Sequence, residues 1–246
     1  MYIPTVKCNS LNSMPILSRS DIDFMAEKFL KDFQPEALKV PMAIDIDGFV
    51  ENYLGANPDY KYLSHNMIYL GMTVFDDTNS VIIYNPSTER AEYISEKAKT
   101  VIIDSRLLNE NQEHRYRFSL GHESGHIIFH KAYFARQKKL SELFGVSATP
   151  YVQCCKPDSI YGKRKLESDS DWLEWQANQF SSSLLMPVTA VKRMSRDFDM
   201  DSYYEINNML CEMESVFNVS FEAATNRLNT LEMINKPVAA FDFITI

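Results

Sequence analysis

The chain has 246 residues, of which 45% are hydrophobic and 24% are charged, a balance typical of a folded globular protein. The formal net charge of −8 argues against nucleic-acid and bilayer binding, because both partners select basic surfaces. The four cysteines show no framework spacing, the first residues do not have the pattern expected of a secretion signal, and no apolar run approaches about 18 residues. We therefore expect a cytoplasmic protein with reduced thiols and no membrane span.

The first part of the chain is predicted to be an arm followed by two helices. Residues 1–19 contain prolines, serines and asparagines that favour an irregular, extended arm. Apolar residues then recur at helical spacing from Ser20–Asp21 to the residue before Pro35. A shorter helix is predicted for residues 45–54. Both helices are more typical of packing than of function.

In the next part of the chain the apolar residues no longer recur at helical spacing, which predicts a small sheet. Three short runs are rich in β-branched and aromatic residues: Tyr69–Phe75, Val81–Tyr84 and Thr100–Asp104. Polar turn residues separate them, which indicates a small, mainly antiparallel sheet. An exposed edge of that sheet could bind an extended peptide by strand addition, and a covered edge is the equally weighted alternative.

The pattern His-Glu-x-x-His lies in the stretch from Arg117 to His130. On a helix, His122 and His126 present their imidazoles on one face. Two neutral imidazoles at that spacing can hold Zn²⁺, while Glu123 reaches a water molecule as a general base. The simpler alternative is a helix with two surface histidines. Apolar flanking residues, and the presence of three of the five histidines in this stretch, favour a buried metal site.

Residues 131–170 carry eight basic and four acidic side chains and are predicted to be the least regular part of the chain. Such a basic segment could be a flap or a substrate-docking loop beside the site, and a solvated loop is the alternative. Cys154 or Cys155 could also ligate the open zinc position as a latch, because thiolate is a good zinc ligand.

A second helix with functional side chains is predicted between Ser170 or Asp171, which can cap it, and Pro187, which ends it. Glu174 on this helix would be the third protein ligand and would leave the fourth position to water. Asn178, one turn later on the same face, could hydrogen-bond the second nitrogen of a ligand histidine and fix its tautomer.

Two stretches, RFSLGHESGHIIFH and EWQANQFSSSLLMP, resemble the ImmA/IrrE family of zinc metallo-endopeptidases. Members typically read R-F-[ST]-x-x-H-E-x-G-H and E-x-[EQ]-A-N-x-F-A-x-x-L-L-M-P, and the resemblance spans about residues 20–235. It implies a zincin-like, gluzincin-type site in which His122, His126 and Glu174 bind Zn²⁺ and Glu123 is the base. The 48 positions from His126 to Glu174 exceed the gap in compact members, which marks the basic segment as an insertion.

Other polar groups near the motif could support the metal ligands or the reaction. His130 lies eight residues after His122 without a glycine turn between them, so it is expected to pack against or support the ligands rather than bind metal. The oxyanion stabiliser could be Tyr133, Tyr151, Tyr161 or His130, and spacing does not rank these four.

The C-terminal part of the chain is predicted to be helical. The pattern of residues 196–236 resembles a helix-turn-helix, and residues 237–246 are expected to form a tail. Six acidic residues oppose only two basic ones between positions 201 and 236, whereas a groove binder should be basic. We therefore expect a helical subdomain that packs on the catalytic helices and has no direct nucleic-acid partner.

Together these features predict an α+β, zincin-like metalloprotease with a catalytic domain at residues 20–195. The resemblance implies a protein substrate, a helix-turn-helix transcriptional repressor that is cut to derepress its genes. One alternative is a non-proteolytic regulator that binds a repressor or antitoxin partner, which the presence of Glu123 disfavours. A DNA-binding factor is a second alternative, which the acidic composition disfavours.

Overall fold

The computed structural model describes residues 1–145, 151–155 and 166–234, with the backbone alone for 151–155. The described helices are α1 (Arg19–Phe33), α2 (Ile46–Gly48), α3 (Glu113–Phe129), α4 (Lys131–Phe144), α5 (Asp169–Leu185), α6 (Val188–Met194), α7 (Tyr203–Phe217) and α8 (Phe221–Thr230). The strands are β1 (Asn57–Lys61), β2 (Tyr69–Val74), β3 (Thr78–Asn85), β4 (Arg90–Glu96), β5 (Thr100–Asp104) and β6 (Tyr151–Cys155). This mixture of helices and small sheets is an α+β architecture consistent with a zincin-like fold, as predicted.

The strands form a four-stranded sheet in the order β1-β5-β2-β6 and a separate β3–β4 hairpin. Strands β1 and β5 are parallel, and β2 runs antiparallel to both of its neighbours. The prediction of a mainly antiparallel sheet is confirmed for β2 and β5, whereas the predicted run Val81–Tyr84 lies in the separate hairpin. Strands β1 and β4 were not predicted, because their sequences NPDYK and RAEYISE are mostly polar and lack an apolar run.

Both edges of β2 are paired, by β5 on one side and by β6 on the other. Strands β1 and β6 therefore provide the outer edges of the described sheet. In the β2–β6 register, Cys154 lies opposite Gly71 and Val152 lies opposite Thr73. The edge of β2 is thus covered by a strand from the basic segment.

The two predicted N-terminal helices differ in how closely they match the structure. Helix α1 begins slightly earlier than predicted, because Ser18 and Asp21 form a capping box. The second predicted helix is not continuous: α2 has only three residues, and the backbone then widens into a π-helical turn at Phe49–Tyr53. Gly55, with a φ of 64°, follows that turn.

The prediction that residues 131–170 are irregular is wrong for much of the segment. Residues 131–144 form α4, which ends at Gly145 in the left-handed conformation, and β6 and the start of α5 follow. The clustered charge favoured a loop in the sequence analysis, but alanine, lysine, leucine and glutamate are all good helix formers. Residues 146–150 and 156–165 lie outside the described part of the chain.

One large hydrophobic cluster joins the helices that carry the predicted site residues. The ring of Phe180 on α5 packs edge-on against Phe29 of α1 at 5.8 Å and against Phe129 of α3 at 5.4 Å, between ring centroids. Helices α7 and α8 contribute to the same cluster, so the predicted C-terminal helices share this core. A smaller cluster lies between the sheet and the β3–β4 hairpin. Among the described residues, no helix has the length and apolar character that a membrane span requires.

Candidate metal centre

The His-Glu-x-x-His pattern lies on α3, as predicted, and its three polar side chains are buried. His122, Glu123 and His126 have relative exposures of 1% or less. One helical turn between the two histidines brings their Nε2 atoms to within 2.9 Å of each other. The helix therefore presents two imidazole nitrogens to one point.

Close packing of α3 on α5 brings the second motif to that point. A Cβ atom on Gly125 would lie 2.9 Å from Cα of Ala177, and one on Gly121 would lie 2.6 Å from Oγ of Ser181. Two glycines one turn apart on α3 thus face two small residues one turn apart on α5, which allows the helix axes to approach closely. This role was not predicted, although small side chains recur at four-residue spacing on both helices.

Glu174 on α5 completes a three-residue cluster with the two histidines. Its carboxylate oxygens lie 3.4 Å from Nε2 of His122 and 3.5 Å from Nε2 of His126. Burial alone would raise the pKa of Glu174, but hydrogen bonds and charge interactions with the two histidines outweigh it and lower that pKa well below its usual range. The Glu174 side chain is 25% exposed, so the cluster is reached from solvent on the Glu174 side.

Each histidine of the cluster has a hydrogen-bond partner on its far side. Oδ1 of Asn178 lies 2.7 Å from Nδ1 of His122, which is the contact expected from the sequence. Nδ1 of His126 lies 2.8 Å from Nδ1 of His130. Burial lowers the pKa of His126 and of His130, which favours the neutral rings that metal binding requires.

His130 directly follows the motif helix as its C-cap residue. Helix α3 ends at Phe129, and His130 joins it to α4 with φ −105° and ψ −3°. Its N–H still bonds to the carbonyl of His126 at 3.0 Å, and the two imidazole rings lie one turn apart, tilted by 59° with their centroids 4.8 Å from each other. Both ring nitrogens of His130 are already used, one by His126 and one by Gln176, so His130 is a poor candidate for an oxyanion donor.

Strand β2 holds Glu123 from the opposite side. Oε2 of Glu123 accepts a hydrogen bond of 2.6 Å from Oγ1 of Thr73, whereas Oε1 is buried without a hydrogen-bond partner. Burial raises the pKa of Glu123 to about 7, although His122 and Thr73 partly offset it. Thr73 was not predicted, because its contact with Glu123 joins residues that are 50 positions apart in the sequence.

The donor set fits a bound cation. Ligand atoms of His122, His126 and Glu174 all lie within 4.8 Å of one another. If Asn178 accepts the Nδ1 proton of His122 and His126 donates its own, the two facing Nε2 atoms are both unprotonated. Two lone pairs that face each other in a buried site repel, and a bound cation would relieve that repulsion. Two imidazoles and a carboxylate with access to solvent suggest a metal site with an open position.

The remaining predicted groups are the tyrosine candidates for the oxyanion donor and the two cysteines of the predicted latch. Tyr133 lies on α4, where burial and Asp169 raise its pKa to about 12. The side chains of Tyr151 and Cys154 and all of Tyr161 lie outside the described part of the structure, as does the side chain of Cys155. The Cys latch and two of the tyrosine candidates for the oxyanion donor therefore stay predictions.

One known family of protein domains matches the C-terminal part of the described structure. A family model described as IrrE N-terminal-like domain (Peptidase_M78) matches residues 166–229. The matched region contains α5, with Glu174 and Asn178, and reaches into α8. No curated protein matches the chain. The family-model match supports the membership of this chain in the ImmA/IrrE family of metallopeptidases.

Proposed function

We propose that the chain is a zinc-dependent endopeptidase. In this proposal His122, His126 and Glu174 hold Zn²⁺, and Glu123 is the general base. The observation that carries it is the convergence of two Nε2 atoms and the Glu174 carboxylate beside a buried carboxylate oxygen, Oε1 of Glu123, that has no hydrogen-bond partner in the described structure.

When bound, Zn²⁺ would supply Lewis acidity for the scissile carbonyl and for the attacking water. Oε1 of Glu123 accepts a proton from that water while the oxygen of the water attacks the carbonyl carbon. The same carboxyl then gives the proton to the leaving amine nitrogen as the C–N bond breaks. A pKa of about 7 suits a group that must both accept and donate near neutral pH. Thr73 holds the other oxygen and so orients the carboxylate.

The proposed substrate is a helix-turn-helix transcriptional repressor, whose cleavage would derepress its genes. This choice rests on the resemblance to the ImmA/IrrE family. The acidic composition of residues 201–236 supports a protein partner rather than a direct nucleic-acid partner. The free, exposed thiols of Cys8 and Cys211 suit a reducing compartment, and we place the protein in the cytoplasm.

The proposal is tested by Glu123→Gln, which keeps the shape of the side chain but removes the base. We expect elemental analysis to find the same zinc content as in the wild-type protein, because residue 123 is not a ligand. Cleavage of a helix-turn-helix repressor encoded beside the gene should fall by about 10²- to 10⁴-fold.

The same variant separates the protease from the non-proteolytic regulator. If Glu123→Gln still derepresses the target genes in cells, the protein acts by binding a partner and the catalytic proposal is wrong. Thr73→Ser is a suitable control, because it keeps a hydroxyl group beside Glu123 and should retain most of the cleavage activity.

A further inference from the structure

A chain of hydrogen bonds runs from His126 to the N-terminal arm behind the proposed metal site. Nδ1 of His126 lies 2.8 Å from Nδ1 of His130, and Nε2 of His130 lies 3.0 Å from Oε1 of Gln176. The side-chain amide of Gln176 then donates to the carbonyl oxygen of Pro15 at 2.9 Å. The three side chains have relative exposures of 1% or less, so solvent does not compete for these bonds.

The carbonyl of Pro15, at the far end of this series of hydrogen bonds, sets the direction of every bond in the series. A backbone carbonyl can only accept, so Gln176 must turn its amide nitrogen toward Pro15 and its oxygen toward His130. That oxygen also only accepts, so Nε2 of His130 carries the proton. In a neutral ring Nδ1 of His130 is then the acceptor. His126 must therefore donate from Nδ1.

The consequence reaches the metal site. A neutral His126 that is protonated on Nδ1 has a lone pair on Nε2, and that atom faces Nε2 of His122 at 2.9 Å. Only this tautomer can bind a metal ion through Nε2. If His130 instead carried its proton on Nδ1, His126 would have to accept there and would carry its own proton on Nε2. That proton would block the ligand position.

We propose that Gln176 is a positioning residue that, with the backbone carbonyl of Pro15, fixes the metal-binding tautomer of His126 through His130. This inference rests on the proposed function, because it assigns Nε2 of His126 as a ligand atom. It also gives the N-terminal arm a role in the site. The buried side chains of Met14 and Leu17 flank Pro15 and anchor its carbonyl there.

The test compares Gln176→Met with Gln179→Met. Both remove a buried amide from α5, but Gln179 donates to Ser183 and does not take part in the histidine chain. Competition with a chelator should show zinc binding about 10- to 100-fold weaker in Gln176→Met, as is typical when a group that supports a metal ligand is lost. Binding in Gln179→Met should stay at the wild-type value.

A spectroscopic measurement shows whether the tautomer is the cause. With only five histidines in the chain, ¹⁵N-labelled imidazoles in the metal-free protein can be assigned through single His→Gln variants. We expect His126 to be protonated on Nδ1 and His130 on Nε2 in the wild-type protein and in Gln179→Met. In Gln176→Met both rings should show a mixture of tautomers.

Two results would overturn the inference. The first is a wild-type spectrum in which His126 carries its proton on Nε2, and this result needs no variant. The second is a folded Gln176→Met with wild-type tautomers and wild-type zinc affinity. Failure of the proposed function would look different from both results. A wild-type protein that neither cleaves peptides nor binds zinc could still show the expected histidine tautomers in its metal-free state.

Discussion

Gly71 on β2 lies directly against the carboxylate of Glu123 on α3. A Cβ atom at position 71 would be 2.9 Å from both Cγ and Cδ of Glu123 and closer still to Oε1. Residues two positions apart on a strand face the same side, so Gly71 and Thr73 contact the two oxygens of one carboxylate. The strand thus leaves room for one oxygen and hydrogen-bonds the other.

Gly71→Ala should therefore displace Glu123 while leaving the zinc ligands in place. We expect kcat/KM to fall by about 100-fold, because a shift of about 1 Å in a catalytic group can cost that much. Zinc content by elemental analysis should equal that of the wild-type protein. An unchanged kcat/KM in a folded Gly71→Ala protein would show that the position of this carboxylate does not limit catalysis.

The purified protein should bind about one equivalent of Zn²⁺, and the ligand assignment predicts graded losses. His126→Ala removes a buried imidazole and should lose most of the metal. Glu174→Ala should weaken binding rather than abolish it, because two imidazoles remain. His114→Ala removes the same type of side chain from the start of α3 and is the control. Full zinc retention in both site variants would contradict the assignment.

Arg227 should be a major source of stability for the packing of α8. It is fully buried, pairs with Asp23 of α1 at 2.8 Å and donates to the carbonyl oxygen of Met186 at 2.9 Å. Arg227→Met removes the cation beside the Asp23 carboxylate, which keeps the hydrogen bond from Ser183, and we expect the free energy of unfolding in urea to fall by about 3 kcal/mol. The double variant with Asp23→Leu should recover part of that loss. Equal stability of the single variant and the wild type would show that this ion pair has no net effect.

The basic segment 131–170 should affect substrate capture rather than chemistry. Lys138 and Lys139 lie on α4, and Lys163, Arg164 and Lys165 lie outside the described residues. Neutralising all five should lower kcat/KM and make its salt dependence shallower, with kcat nearly unchanged, because exposed charges act mainly on association. Kinetics that match the wild type at every ionic strength would leave the segment without this role.

The control for that experiment neutralises Lys192 and Arg193 on α6, which should not change the salt dependence. Replacement of Cys154 and Cys155 by serine tests the predicted latch separately. If a cysteine occupies the open zinc position as a latch, its replacement by serine should raise the basal activity. Unchanged basal activity would exclude it.

The local features of the site follow from the sequence alone. The spacing of His122 and His126 places both imidazoles on one helical face, and Glu174 and Asn178 are one turn apart for the same reason. Neighbours within one turn are determined by the period of the helix, so no knowledge of the remaining fold is needed. A hydrogen bond from a ligand histidine to Asn178 could be predicted because Asn178 lies one turn after Glu174 on the same face, and the structure identifies that histidine as His122.

Tertiary structure decided which groups surround those local motifs. Gly71 and Thr73 come from a strand about 50 positions before Glu123, and Pro15 lies 161 positions before Gln176. Such contacts leave no periodic pattern in the sequence, because they depend on how β2 and the N-terminal arm pack against α3 and α5. Helix α4 was missed for a different reason, since clustered charge hid a sequence of good helix formers. The sequence by itself therefore determined the proposed metal ligands and base, whereas only the packed fold decided how their orientation and tautomers are held.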